Sequence, residues 1–153
     1  MEQDVAQGLS IDGLTWTAKK TVSDDRGAVK LMLKDGQFDF PVGEIYFSIV
    51  KPGIVKGWKY HREMVQRLTV PLGTVQFVFV DQREGSPTNG AVCEVTCGEE
   101  SYGLITVPAR IWYSFRGEGK SPAVIANAAS IPRKVGESEV IDTAKFEYYH
   151  WKF

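Results

Sequence analysis

Residues 74–90 read TVQFVFVDQREGSPTNG, and the change of character inside that stretch decides the fold. In its first half Val75, Phe77 and Phe79 alternate with Gln76 on the other side, the two-residue period of an extended strand. Val78 and Val80 make the second side apolar as well, which predicts a strand buried on both faces. The second half is dominated by glycine, proline, serine and asparagine, the residues of turns.

The same alternation of apolar run and turn extends in both directions. VGEIYFSIV lies upstream. GAVCEVTC (90–97), YGLITVP (102–108), RIWYSFRG (110–117) and PAVIANAAS (122–130) lie downstream, and KPG, PLG, CGEE and GEGKSP punctuate the series. Strands with turn signals at intervals of about 8–12 residues indicate an all-β sandwich or barrel. No internal repeat, linker or low-complexity tract breaks the chain, so its 153 residues are expected to form one domain, 1–153. The ends differ. Residues 1–12 read as loosely ordered, 137–147 (ESEVIDTAKFE) as a short C-terminal helical segment, and the tail EYYHWKF as an aromatic cover for the barrel.

Composition sets further bounds. Hydrophobic residues make up 43% and aromatics 12%, ample for a core, and the formal net charge is −1. That balance argues against a nucleic-acid-binding surface. No apolar run is long enough to span a bilayer. The first residues, MEQDVAQGLSIDG, are polar and acidic, unlike a signal peptide. Cys93 and Cys97 fall four apart on one strand, which separates their Cα atoms by about 13 Å, too far for a disulfide. They read as reduced core residues of a cytoplasmic protein.

The chemistry concentrates in KGWKYHREMVQRL (56–68). Lys59 and His61 lie two apart, so a strand points both to one face. A pocket lined by them could hold a metal, move a proton or present polar groups to a ligand. His61 has an ordinary pKa near 6.5, suited to proton transfer, and is also compatible with a hydrogen-bonded role inside the fold. A buried Lys59 would lose its charge and could act as a base or form a Schiff base; a solvated one would keep it. In RIWYSFRG, Tyr113 and Phe115 share one face and Trp112 takes the other. Tyr113 could donate to a developing enolate oxygen or serve as core packing.

GIVKGWKYH (53–61), VDQREGSPTNG (80–90) and LITVPARIWYSF (104–115) in this order resemble the cupin family of nucleotide-sugar epimerases and isomerases, especially the dTDP-4-dehydrorhamnose 3,5-epimerases and the dTDP-sugar 3,4-ketoisomerases. SDDRGAV (23–29) adds to the likeness, which covers roughly residues 22 to 145. The resemblance implies a cupin jelly-roll barrel, a homodimer and a nucleotide-sugar substrate, with no cofactor and no nucleic-acid or membrane partner. Metal-binding cupins, unlike these epimerases, use His-x-His, then a glutamate, then a later histidine. Lys59, His61, Gln66 and Tyr113 stand in those places here. An ammonium has no lone pair to give and an amide is a poor ligand, so no metal is expected.

Carried over residue by residue, the resemblance puts Lys59 where the family's catalytic histidine belongs and Lys56 where its phosphate-binding arginine lies. Arg26 and Arg83 match arginines of the family motifs, Gln66 falls at a family lysine, and Asp142 falls near the acid that partners the base. The strand expected to supply a catalytic tyrosine offers Asn127 and Ser130 instead. These substitutions leave two readings open. One is a metal-independent epimerase or isomerase of a nucleotide-linked 4-keto-6-deoxyhexose, in deoxysugar or polysaccharide biosynthesis. It would use His61 as base, Lys59 as positive charge beside the enolate, Tyr113 as acid, Asp142 as the partner of the base, and Arg26, Lys56, Gln66, Arg83 and Asn127 for binding. The alternative is a catalytically silent nucleotide-sugar-binding cupin that has lost the catalytic histidine and tyrosine.

Overall fold

The stretch 74–80 forms strand β8 (Thr74–Val80), and both its faces are covered. The computed structural model describes residues 5–36 and 40–153, and among these the chain is all β, with no helix. The first half supplies β1 (Gln7–Gly8), β2 (Thr15–Ala18), β3 (Thr21–Asp24), β4 (Gly27–Lys30), β5 (Glu44–Val50), β6 (Val55–His61) and β7 (Gln66–Leu72). After β8 come β9 (Val92–Gly98), β10 (Gly103–Val107), β11 (Trp112–Glu118), β12 (Ala123–Ala129) and β13 (Ser138–Val140). One sheet runs β1-β2-β10-β7-β12-β5 and the other β13-β6-β11-β8-β9, while β3 and β4 form a separate hairpin. No ladder among the described residues closes these sheets into a continuous barrel.

The alternation in each strand explains the packing. Val75, Phe77 and Phe79 face a core shared with Val70, Ile105, Val107, Tyr113, Phe115 and Ile125. Val78 and Val80 on the reverse face join Trp58, Trp112 and Phe146, with Tyr149 and Trp151 of the tail packed against them. Phe146 stacks on Trp58 with ring centroids 4.0 Å apart. The aromatic tail thus covers the outer face of the five-stranded sheet, removing from water a second layer of apolar surface. Cys93 and Cys97 are free and buried.

Two expectations are corrected at the chain ends. The C-terminal helix is absent. Ser138–Val140 instead pairs antiparallel with β6, Ser138 opposite His61 and Val140 opposite Lys59, and Asp142 to Lys145 closes a turn. The β-branched run Val140, Ile141, Thr143 disfavours helix, a helix this short is marginal, and the open edge of β6 offers ladder hydrogen bonds. At the other end, residues 7–12 are not loose. Gln7 and Gly8 pair with β2, and Ile11, 1% exposed, enters the core beside Leu14. Residues 1–4 of that expectation lie outside the described residues.

One irregularity places the site. β6 and β11 pair Tyr113 with Lys59 but Ser114 with Gly57, so Trp58 is the extra residue of a bulge. Gly57 has φ +124°, and a Cβ there would lie 2.9 Å from the Ser114 backbone. Glycine is required by that close approach. The bulge turns Trp58 to the outer aromatic layer and sets Lys59 directly across from Tyr113.

Candidate active site

Lys59 and Tyr113 face a narrow cleft between the two sheets, lined also by Tyr46, Ser48, Leu68, Phe77, Phe115, Ile125 and Asn127. The free space inside is about 20 Å³, room for roughly one water. Only the reacting edge of a larger ligand would enter, with the rest lying across the rim. A roomier cleft of about 680 Å³ opens on the other face of β6, lined in part by Tyr60, Arg62, Arg83 and Arg110. It brings no acid–base pair of comparable burial together.

Behind Tyr113 lies a chain of hydrogen bonds. His61 Nδ1 is 2.8 Å from Glu137 Oε1, and the two carboxylate oxygens also accept from the Glu63 and Met64 backbone N–H groups. With Nδ1–H donated to the carboxylate, Nε2 of the neutral ring is an acceptor. The Gln66 amide meets that need: its Nε2 lies 3.1 Å from His61 Nε2 and donates at 3.1 Å to the Tyr113 hydroxyl. Tyr113 therefore accepts from Gln66 and keeps its own O–H proton for another acceptor. Asn127 donates to the Tyr46 hydroxyl at 2.9 Å, while its Oδ1, buried, has no partner among the described residues.

The charges acting on Lys59 are all positive. Burial pushes the Lys59 amine below its ordinary value, and the positive charges of Arg133 and Lys56 push it the same way. Burial also lowers His61; the hydrogen bond and charge of Glu137 oppose this, and Lys59 and Arg133 add to it. The Tyr113 phenol is driven well above its usual range, by burial first and by Tyr46 second, with Gln66 and Arg133 acting in the opposite direction. A weakened ammonium and a firmly held phenolic proton thus lie side by side, on paired strands, on one wall of the cleft.

The structure sorts the residues singled out from sequence. Lys59, Tyr113 and Asn127 line the cleft, and His61 and Gln66 stand behind it in the hydrogen-bond chain. Asp142 is not beside His61: its carboxylate accepts from the Ala144 N–H of its own turn, and Glu137 holds the position at the imidazole. Arg26 sits at the tip of the β3–β4 hairpin, ion-paired with Asp24 and with a side chain 86% exposed. Lys56 donates to the Ile49 carbonyl. Arg83 is spent on Asp81, which collects both guanidinium contacts together with the Ser86 and Thr88 hydroxyls. The motif VDQREGSPT is thereby a self-braced turn. Tyr46, Glu137 and Arg133 escaped sequence reading. The alternation of VGEIYFSIV could have marked Tyr46 and Ser48 as one face, but Glu137 was hidden in a stretch read as helix.

Comparison with known proteins places this geometry in a class. No family model matches the chain. It is 37% identical to a dTDP sugar isomerase from Desulfovibrio desulfuricans G20, over 94% of this chain and 95% of that one, with a TM-score of 0.88. The chain belongs to the cupin family of dTDP-sugar epimerases and isomerases. It is also 31% identical over 83 residues to a probable low-salt glycan biosynthesis epimerase of Haloferax volcanii, a match covering 54% of this chain and 53% of that relative. A spore coat polysaccharide biosynthesis protein of Bacillus subtilis is 29% identical over 116 residues, 75% of this chain and 77% of its own length.

Proposed function

We propose that this chain is a metal-independent epimerase or isomerase of a nucleotide-linked 4-keto-6-deoxyhexose, acting in deoxysugar or polysaccharide biosynthesis. The observation that carries this reading is the register that sets the Lys59 amine opposite the Tyr113 phenol on the wall of one cleft. The carbonyl of a keto sugar acidifies the neighbouring C–H, so a modest base and one well-placed hydrogen-bond donor suffice. Lys59, whose ammonium is disfavoured by burial and by the neighbouring positive charges, takes that proton in its neutral form. Tyr113 donates to the oxygen on which negative charge develops. Returning the proton from Lys59 to the neighbouring carbon of the enediol moves the keto group; inversion instead needs water to deliver a proton to the opposite face of the enolate while Lys59 gives up the abstracted proton to solvent.

The remaining polar residues position these two. His61, anchored by Glu137, orients the Gln66 amide so that its N–H donates a hydrogen bond to the phenol oxygen and leaves the phenolic hydrogen free. The unpaired Asn127 Oδ1 is an acceptor for a sugar hydroxyl. The donor set also supports metal independence, since it holds one imidazole whose two nitrogens are both engaged.

The unit that does this work is the single cupin domain 1–153, as a homodimer in the cytoplasm, where the thiols of Cys93 and Cys97 stay reduced. A dimer is supported by β5, an edge strand whose outer face carries Ile45, Phe47 and Ile49 at 61%, 67% and 62% exposure.

The test is solvent exchange. The chain is incubated with dTDP-4-keto-6-deoxyglucose in D₂O, and deuterium at C3 and C5 is followed by NMR. Catalysed incorporation is expected, with a loss of about 10²-fold or more in Lys59→Met. Saturable binding of this sugar nucleotide with no exchange at either carbon refutes the enzyme reading.

A further inference from the structure

The three cations that sequence assigns to ligand binding, Arg26, Lys56 and Arg83, are not on the cleft wall, and a fourth stands at its rim. Arg133 lies between β12 and β13, exposed, with its guanidinium 5.3 Å from the ring centroid of Tyr46. Tyr46 is part of the cleft wall, and the charge of Arg133 reaches Lys59, His61 and Tyr113 alike. Among the described residues Arg26, Arg62, Arg83 and Arg116 each form an ion pair with a carboxylate. Arg133 forms none.

We infer that Arg133 is the receptor for the diphosphate of the ligand, held over Tyr46 with its donors free. This rests on the nucleotide-sugar reading above and names the group that recognises the anionic half. A guanidinium presents paired N–H donors that match phosphate oxygens. Stacking on Tyr46 limits the motion of the long side chain, so less entropy is lost when the anion arrives. The small volume of the cleft fits this division. The reacting edge of the sugar enters beside Lys59, and the charged linkage stays at the rim.

Arg133 then has a second effect. Unliganded, its charge joins that of Lys56 on β6 in disfavouring the ammonium of Lys59. The other titratable groups around that amine are Tyr113 on β11, Tyr46 on β5 and His61 on β6, the last backed by Glu137. The one carboxylate in this set, Glu137, is taken up by His61 and the Glu63 and Met64 N–H groups. The guanidinium that receives the anion thus also adds positive charge to the surroundings of the base.

The experiment compares dTDP with thymidine by titration calorimetry on the wild-type chain, Arg133→Gln and Arg133→Lys. Because the side chain is exposed, both variants should fold, which circular dichroism checks. The expected result is a loss of about tenfold or more in dTDP affinity for Arg133→Gln, little change for thymidine, and partial recovery in Arg133→Lys. The apparent pKa of Lys59, read by NMR after ¹³C-methylation of the lysines, should rise in Arg133→Gln. Unchanged dTDP affinity in that variant, with the wild type still preferring dTDP to thymidine, overturns the assignment to Arg133 and leaves the proposed function standing. A wild-type chain that binds none of dTDP, UDP and GDP overturns the proposed function itself, and this inference with it.

Discussion

Replacing Glu137 by glutamine tests the architecture behind the cleft. The Glu137 side chain is 2% exposed and its carboxylate takes three donors: His61 Nδ1–H at 2.8 Å, the Glu63 N–H at 2.9 Å and the Met64 N–H at a longer 3.4 Å. A glutamine has one acceptor oxygen where the carboxylate has two. Whichever way the amide turns, its NH₂ group meets either the imidazole N–H or the Glu63 N–H, donor against donor. One charge-assisted bond is weakened and one buried donor is left without a partner, a loss of about 2–3 kcal/mol. With a urea m-value of about 2 kcal/mol/M, the middle of the range for small domains, the unfolding midpoint should fall by about 1–1.5 M. Asp142→Asn touches only an exposed turn and should cost about 0.5 kcal/mol or less. Titration of the imidazole adds a second readout. Burial holds His61 below its ordinary value and Glu137 opposes that, so Glu137→Gln should lower the pKa further while Asp142→Asn leaves it in place. Stability is then fully present above the unfolded-state value, near 6.5, and is lost as the pH falls toward the folded-state value. In Glu137→Gln that loss should continue to a lower pH. Urea curves at pH 7.5 and 5.5 with histidine NMR read both effects. Equal losses in the two variants, or a His61 shift in Asp142→Asn alone, would refute the assignment of Glu137 as the partner of the imidazole.

Tyr113→Phe keeps the ring and removes the hydroxyl, and should slow deuterium exchange by about 10²–10³-fold with dTDP affinity nearly unchanged. A rate within about threefold of wild type would remove Tyr113 from the chemistry. Gly57→Ala forces a Cβ to 2.9 Å from the Ser114 backbone at φ +124°, and thermal unfolding should show a loss of about 2–3 kcal/mol; wild-type stability would mean that the bulge does not hold the Lys59–Tyr113 register. Phe47→Glu places a charge in the exposed apolar row of β5. Sedimentation should show the dimer dissociation constant raised about tenfold or more, and an undisturbed dimer would move the interface elsewhere.

Much of the fold is legible in residue order because strand alternation is a local property. Val75, Phe77 and Phe79 against Val78 and Val80 announce two covered faces whatever the partners are, and the turn residues of REGSPTNG end the strand wherever it lies. The family motifs are legible for the same reason, since they sit in unbroken stretches of chain. The helix expected at 137–147 shows the limit. Whether Ser138 to Val140 becomes strand depends on an open edge of β6, nearly eighty positions upstream, which no local pattern reveals.

By itself, then, the order of residues determined the β class, the layers that β8 separates, and Lys59 and His61 on one face. Only the tertiary structure decided that Lys59 lines the cleft with Tyr113 while His61 stands behind Gln66, that Glu137 and not Asp142 holds the imidazole, and that Arg133 rather than Arg83 lies against Tyr46 of the cleft wall. The reason is electrostatic and steric. A side chain's charge, proton and free lone pairs are set by whatever lies within a few ångströms, and those neighbours come from distant parts of the chain.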